Sequence, residues 1–528
     1  MSVGAFPDTA AGAAMRTFTG PSDWLRADAQ HRGDRCALID EASGRSLSFA
    51  ELDERVNRAA NGLLGELGVR PGERVAVVAT DSHRYVEVIL ACFRTGITVI
   101  PLNVRLLPLE LERFLLRGEA RALFAGPRYV ATALELQRRV PTLRHVVSLG
   151  DAEVGPVPYE SLLARSAPTD PGLAVDPEAV VCLAFTSGTT GMAKAVEQPL
   201  RMLTNAAMAG VIAYDVREGD VRYAAPPLFH VSGVSAMLRG LAVAHTSVLL
   251  PQFDAVEVLR WLQSDQLTGV ALVPTMLSSL LELPGVADHD YPVLRSIQYG
   301  AAPITPALLR RAMDVFRCDF VQMFGAGTEA GLQCSLSAAD HRRALAGDEH
   351  LLSSIGRPAL GVELRIVDAE LRDVPLGEVG EIATRSDMVM KGYLDMPEET
   401  AEALRGGWFR AGDLARMDAE GYVYLAGRSK DMIIRGGENL YPIEIEAVLT
   451  EHPDVVEAAV VGKPDAHWGE VVVAFVVRRD PDLTEEALRV HCRQGLAPHK
   501  VPAEVQFVEA MPKNASGKVL KRDLRAMC

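Results

Sequence analysis

The chain has no Cys-x-x-Cys pair; its seven cysteines (Cys36, Cys92, Cys182, Cys318, Cys334, Cys492 and Cys528) are scattered singly along 528 residues. An odd, unclustered set excludes a disulfide framework and a thiolate zinc site, and fits reduced thiols in a cytoplasmic protein. An excess of basic residues is also missing. Lys and Arg number 54 against 69 Asp and Glu, a formal charge of −15, which argues against general affinity for nucleic acid or an anionic membrane surface. Long hydrophobic runs are absent as well. The most apolar stretch, Tyr85 to Leu102, is broken by Glu87, Arg94 and Gly96. It reads as a helix followed by a strand, so no stable membrane insertion is expected. No basic region followed by an apolar core opens the chain, so no signal peptide is expected, and residues 1 to about 20 read as a loosely ordered leader. What is present is the composition of a globular protein, long enough for about three or four folding units and without an internal repeat.

Short apolar runs alternate with amphipathic stretches over most of the chain. Strands are predicted at Val75–Thr80, Thr98–Leu102, Ala122–Ala125, Val146–Leu149 and Val180–Phe185. More follow at Ser247–Leu250, Val270–Val273, Ser296–Tyr299 and Phe320–Phe324. A helix is predicted from Tyr85 to Arg94, and Ser48-Phe49-Ala50-Glu51 is a capping box opening another. Near-continuous apolar strands separated by helices imply an α/β fold with mostly parallel sheets covered on both faces. Past Ser354 the pattern turns to short strands with turn residues, Gly361–Asp368 and Glu378–Thr384, which predicts a small antiparallel or barrel-like subdomain. The last hundred or so residues mix helices (Pro442–Thr450, Glu485–Arg493) with strands (Val455–Gly462, Val471–Val477), an α+β unit.

Phe185-Thr186-Ser187-Gly188-Thr189-Thr190-Gly191-Met192-Ala193-Lys194 is the most informative segment. Small residues let backbone N–H groups approach a polyphosphate, hydroxyls add donors, and the lysine adds a mobile positive charge. The spacing is not that of the Walker loop, which needs four residues between its first glycine and Gly-Lys-Ser/Thr. Further segments carry chemistry in a fixed order: Pro227-Leu228-Phe229-His230, Tyr299-Gly300-Ala301-Ala302-Pro303, Phe324-Gly325-Ala326-Gly327-Thr328-Glu329 and Gly407-Trp408-Phe409-Arg410-Ala411-Gly412-Asp413. After them come Gly427-Arg428-Ser429-Lys430-Asp431, Arg435-Gly436-Gly437-Glu438-Asn439 and Pro512-Lys513-Asn514-Ala515-Ser516-Gly517-Lys518.

Taken together, from about residue 20 to the end, these segments resemble the adenylate-forming superfamily of acyl-CoA synthetases, stand-alone adenylation domains and luciferases. They are closest to the acyl-CoA or aryl-CoA ligases. The resemblance implies a large N-terminal domain (1–426) of two doubly wound sheets plus the small barrel-like subdomain, a hinge (427–431), and a small mobile C-terminal domain (432–528). It implies a phosphate loop of Thr186, Ser187, Gly188, Thr189, Thr190, Gly191 and Lys194. Gly300, Ala301, Ala302, Pro303 and Phe324 would line the nucleotide, with Asp413 on the ribose hydroxyls and Arg428 supporting the ribose or phosphate. Thr328 would contact the α-phosphate, Glu329 would hold Mg²⁺, and His230 would border the acid pocket and the thiol channel. Lys430 would be the pivot, Gly436, Gly437 and Glu438 would meet CoA, and Lys518 would be the catalytic lysine. An ammonium bridging an attacking carboxylate and the α-phosphate counters the charge of both, and its loss should cost roughly 10²–10³-fold in rate.

Two departures from the pattern stand out. The phosphate loop ends Ala193-Lys194-Ala195 in place of Pro-Lys-Gly, and alanine at the last position forbids easy positive φ. The Thr-Glu segment has one extra residue, Ala326 or Gly327, and phenylalanine in place of tyrosine. The expected activity is ATP-dependent activation of a small carboxylic acid as its adenylate, then transfer to CoA. The alternatives are a non-CoA acceptor (a carrier-protein thiol, an amine, or nitrite activation leading to a diazo group) and, from another class, a non-catalytic adenylate-binding protein. The acid's identity and the choice between monomer and homodimer are left open.

Overall fold

The computed structural model describes residues 20–150, 157–186, 193–302, 304–436, 438–465, 467–513 and 519–528. Among these residues four sheets form. The first, of eight strands, is parallel from Val180–Thr186 through Thr98–Pro101, Arg74–Val78, Ala122–Ala125 and His145–Ser148 to Val157–Pro158. At its other edge Lys194–Pro199 pairs antiparallel with Val180–Thr186, and Gly392–Tyr393 with Lys194–Pro199. The second sheet, of nine strands, has a parallel centre running from Asp319–Phe324 through Ser296–Gly300, Gly269–Leu272, Val221–Ala224 and Thr246–Leu249 to Cys36–Asp40.

The helix His83–Thr95 shows why the two sheets stay together. Ser82 caps it, Gly96 ends it in the left-handed region (φ 69°), and nearly every residue between them is buried. A helix apolar on all sides must be covered on all sides. The charges that interrupt its sequence are internal ion pairs: Glu87 meets Arg55 Nε at 2.7 Å, and Arg94 Nη2 meets Asp53 at 2.7 Å. The predicted capping box at Ser48 is present, with Ser48 accepting from the Glu51 amide and Glu51 accepting from the Ser48 amide.

Glu363–Val367, Gly380–Arg385, Phe409–Met417 and Val423–Arg428 form a four-stranded antiparallel sheet. It stays open, so the barrel-like subdomain expected from the strand pattern is a sheet without closure. The small C-terminal domain is α+β. In its hairpin Val455–Asp465/Gly469–Arg478, the second strand pairs along its free edge with Glu504–Phe507 in parallel and, at its start, antiparallel with Ile433–Arg435, which pairs in turn with Glu438–Leu440. Helix Pro442–Thr450 packs beside strand Val423–Arg428 of the larger domain. No helix among the described residues is long and apolar enough to cross a membrane.

Candidate active site

In open α/β sheets ligands collect beyond the carboxyl ends of the parallel strands, and four of the segments singled out in the sequence follow such strands. Val180–Thr186 leads into the phosphate loop, Ser296–Gly300 into the Gly-Ala-Ala turn, Asp319–Phe324 into the Thr-Glu turn and Val221–Ala224 into the His230 segment. Ser187, Gly188, Thr189, Thr190, Gly191, Pro303, Gly437 and Lys518 lie outside the described residues.

The segment expected to be a phosphate loop springs from a hairpin in which Thr186 pairs with Lys194. Arg117 braces it from below, donating to the Ala193 carbonyl at 2.8 Å. Ala195 is fully buried, pairs with Phe185 in ordinary extended backbone, and accepts from the Leu394 amide at 2.8 Å. Glycine's conformational freedom is not used there, so the departure from the family pattern is harmless to the backbone. The Lys194 ammonium lies 4.3 Å from the centre of the Tyr393 ring.

Across from Lys194 stands the Thr-Glu turn, a single helical turn over Gly327–Ala330. Three ties hold it. Gln198 Nε2 donates to the Thr328 carbonyl at 2.7 Å, the Met390 amide donates to the Glu329 carbonyl at 2.7 Å, and Gln333 Oε1 accepts from the Ala326 amide at 3.3 Å. Gln333 is anchored in turn by Thr384, 2.9 Å away. The extra residue is accommodated by turning Ala326 toward an apolar cluster with Val196, Met202, Met390, Tyr393 and Phe409. Gly327 then faces Val231: a side chain begun at Gly327 would meet Val231 Cγ1 at 3.3 Å. Gly325 admits no side chain, because a Cβ would fall 2.1 Å from the Gly331 carbonyl oxygen.

Glu329 is half-buried, and that desolvation pushes its carboxyl up to about 7; the charges of Arg428 and Lys194 pull it down, and Asp413 pushes it up again. Lys194, Asp413 and Arg428 thus stand near enough to Glu329 to act on its charge. Asp413 and Arg428 are opposite each other on neighbouring strands, with Arg428 Nε 3.0 Å from Asp413 Oδ1. Next to them Glu381 accepts from the Gly412 amide at 3.0 Å and meets Arg410 at 2.9 Å, fixing the bend that carries Asp413.

Gly300 lies against the Met323 carbonyl, where a Cβ would come within 2.2 Å, and Ala301 takes a left-handed backbone (φ 66°) in the exposed turn that follows. Such a conformation costs an alanine on the order of 1 kcal/mol. The turn is set by Tyr299, whose buried hydroxyl donates to His341 Nε2 at 2.7 Å while His341 Nδ1 donates to the Ser337 carbonyl at 2.8 Å. Phe324 packs at the edge of the antiparallel sheet's core with Cys334, Ile366 and Val423.

His230 caps helix Val231–Val243, its Nδ1 accepting from the Ser232 amide at 3.2 Å. That bond leaves the ring proton on Nε2, and burial lowers its pKa. His230 is therefore a neutral imidazole that offers a donor.

The Lys430 carbonyl accepts from Arg525 at 3.3 Å, and Asp431 meets the same guanidinium at 2.8 Å. The chain beyond Lys430 is thus clipped to the C-terminal domain's last helix. The exposed hairpin of that domain holds Gly436 at φ 60° with Trp468 stacked against it; a Cβ there would meet the indole at 3.1 Å. Glu438 on the same hairpin lies 3.4 Å from His499 Nε2. The structure thus brings Lys194, Glu329, Asp413 and Arg428 together and leaves Gly436 and Glu438 on a separate domain. Sequence reasoning missed Gln198, Gln333, Met390 and Tyr393; apart from the Gln333–Ala326 bond, their contacts here join residues more than 50 positions apart.

Comparison with known proteins decides the family. The description "AMP-binding enzyme" matches residues 25–394, and "AMP-binding enzyme C-terminal domain" matches residues 444–518. The chain belongs to the AMP-binding enzyme family. Its members among curated proteins include the fatty acid–[acyl-carrier-protein] ligase ScoC of Streptomyces coeruleorubidus, 34% identical over 503 residues and covering 94% of each chain. Another is the feruloyl-CoA synthase of an Amycolatopsis species, 36% identical over 484 residues, 91% of this chain and 94% of that one. Among solved structures the anthranilate CoA ligase AuaEII in complex with anthranoyl-AMP superposes with a TM-score of 0.88 at 28% identity over 97% of both chains. This AMP-binding enzyme is accordingly an AMP-forming ligase that uses ATP.

Proposed function

We propose that the protein joins a small organic acid to CoA in two steps at one site, with an acyl-adenylate between them. The observation that carries this reading is the single cluster of Lys194, Glu329, Asp413 and Arg428 beside the His230 segment. It combines cations for a polyphosphate, a carboxylate for a ribose, and an uncharged wall for an acid.

Asp413, steadied by Arg428, accepts hydrogen bonds from the ribose hydroxyls. Lys194 leaves the Tyr393 ring for the outer phosphates, exchanging a cation–π contact for a stronger charge pair. An acid carboxylate oxygen attacks the α-phosphorus, the bond to pyrophosphate breaks, and Lys518 spans the attacking oxygen and the phosphate. CoA thiolate then attacks the acyl carbonyl, and AMP leaves with the electron pair of the anhydride bond. His230, neutral with its proton on Nε2, serves as a donor at the acid's edge and not as the thiol's base.

Glu329 would hold a Mg²⁺ brought in with the nucleotide, a hard cation that takes oxygen ligands such as this carboxylate. Among the described residues no cluster of three or more metal-ligating side chains exists, which suits a cation carried by phosphate better than a resident cage. When bound, Mg²⁺ would offset the negative charge of the phosphates. The hinge at 427–431, with Lys430 as pivot, would divide residues 1–426 from 432–528 and swing the Gly436–Glu438 hairpin toward the pantetheine for the second step.

Because ScoC is named for a carrier-protein acceptor, the acceptor is the point to test. Incubation with ATP, Mg²⁺ and a panel including ferulate, indoleacetate, anthranilate and decanoate should give AMP release that depends on CoA, with the thioester visible by mass spectrometry. AMP release driven equally by a carrier-protein phosphopantetheine or an amine, and not by CoA, would overturn the choice of acceptor.

A further inference from the structure

One buried carboxylate near the site has no part in the scheme above. Asp81 follows strand Arg74–Val78, at the carboxyl end of the eight-stranded sheet, and is 9% exposed. Its Oδ1 accepts from the backbone amide of Leu228 at 2.9 Å, a contact between positions 147 residues apart. Leu228 belongs to the turn that leaves strand Val221–Ala224 of the nine-stranded sheet. This one bond therefore ties the carboxyl edge of one sheet to that of the other.

The rest of the turn is closely determined. The His230 amide donates to the Pro227 carbonyl at 2.9 Å, and the Leu228 side chain is buried in the core shared with Ala79, Tyr85 and Met237. Gly233 closes against the turn so tightly that a Cβ would sit 2.3 Å from the Pro227 carbonyl oxygen. Moving Leu228 would therefore shift His230 and Val231 with it, and Val231 faces Gly327 on the opposite wall.

The charge on Asp81 is poorly compensated. Burial pushes its carboxyl up to about 7, and among the described residues the Leu228 amide is the group that favours its ionised form. The hydroxyl of neighbouring Tyr85 is buried without a hydrogen-bond partner among the described residues. A carboxylate buried with so little support is costly, yet it sits where it fixes the geometry of a turn.

We propose that Asp81 is a positioning residue for the acid pocket: by holding the Leu228 amide it sets how far the His230–Val231 wall stands from Gly327, and so the fit of the acid. This rests on the reading of the His230 segment as the pocket's border. Asp81 touches no reacting atom; it acts through the turn.

The test compares Asp81→Asn, which keeps an acceptor for the Leu228 amide, with Asp81→Ala, which leaves that amide unpaired. Acid-dependent ATP–pyrophosphate exchange is measured with whichever of ferulate, indoleacetate, anthranilate and decanoate the unmodified protein uses best. Hydrogen exchange of the 226–230 backbone is followed without substrate. Asp81→Ala should raise KM for the acid about 10-fold or more while KM for ATP stays within about 2-fold, and should speed exchange at Leu228. Asp81→Asn should restore both. Equal changes in the two KM values, an unchanged acid KM despite faster exchange at Leu228, unchanged exchange at Leu228, or no rescue by Asn would each overturn the proposal. If the alanine variant does not fold, an asparagine variant with a raised acid KM refutes it equally well. Absence of exchange by the unmodified protein with every acid would instead strike the reading of the site itself, and the proposal with it.

Discussion

Replacing Glu329 by glutamine should make the nucleotide-free protein more stable while crippling its chemistry. Burial holds the Glu329 carboxyl at about 7, against an ordinary glutamate value of 4.5, despite the pull of Arg428 and Lys194. A raised folded-state pKa means that the folded protein binds the proton more tightly than the unfolded chain. Ionised Glu329 therefore costs nothing below about pH 4.5, an increasing amount between pH 4.5 and 7, and a constant amount above pH 7. At about 1.4 kcal/mol per pH unit that plateau is about 3 kcal/mol, an upper bound since the group keeps some contact with solvent. Glu329→Gln removes the ionisation and keeps the shape. The assay is urea unfolding of metal-free and nucleotide-free protein at pH 5, 6, 7 and 8, followed by tryptophan fluorescence. Trp24, Trp261 and Trp408 report the large domain, and Trp468 the small one. The variant should lead the parent by less than about 1 kcal/mol at pH 5, gain steadily to pH 7, and hold its full advantage at pH 8. A gain of the same size at pH 5 and pH 8, or no gain at pH 8, would refute the reasoning. Exchange activity should meanwhile fall by at least about 10²-fold, since a neutral amide cannot balance the metal's charge.

Other outcomes follow from the same geometry. Lys518→Ala should slow adenylation roughly 10²–10³-fold or more, while leaving thioester formation from a supplied acyl-adenylate near its original rate; loss of both steps together would contradict the division of labour. Asp413→Ala removes the ribose acceptor and strips Arg428 of its partner, so KM for ATP should rise about 10–100-fold with the acid KM little changed, as initial-rate kinetics would show. Gly436→Leu places a side chain against the Trp468 ring at a positive φ; ATP–pyrophosphate exchange should persist while CoA-dependent AMP release falls. Ala195→Gly should cost about 0.5–1 kcal/mol in thermal or urea unfolding with no gain in ATP affinity, because the position is extended strand.

The parallel sheets were legible because buried strands are written as short apolar runs. Ala122–Ala125 and the helix Pro442–Thr450 appear with the bounds their pattern predicts, and the ends of the other elements fall within three residues of theirs. Closure of a sheet has no such signature: the turn-rich stretch after Ser354 announced antiparallel strands but not that their sheet stays open. In the site, Lys194, Glu329, Asp413 and Arg428 were found through ordered motifs. The groups that hold them were not. Nothing in the residues beside Gln198 or Gln333 says which distant carbonyl or hydroxyl the side chain will meet. Asp81 gave no local signal either, since its partner lies 147 residues away. Ala195 shows the reverse case. The motif flagged it as a departure, whereas pairing with Phe185 places it where alanine is at ease.

The most direct test of the account is isotope exchange between pyrophosphate and ATP in the complete absence of CoA, scanned over the acid panel. Exchange should require an acid, require Mg²⁺ and be abolished in Lys518→Ala. Exchange that proceeds without any acid, or that persists undiminished in a folded Lys518→Ala protein, would contradict it.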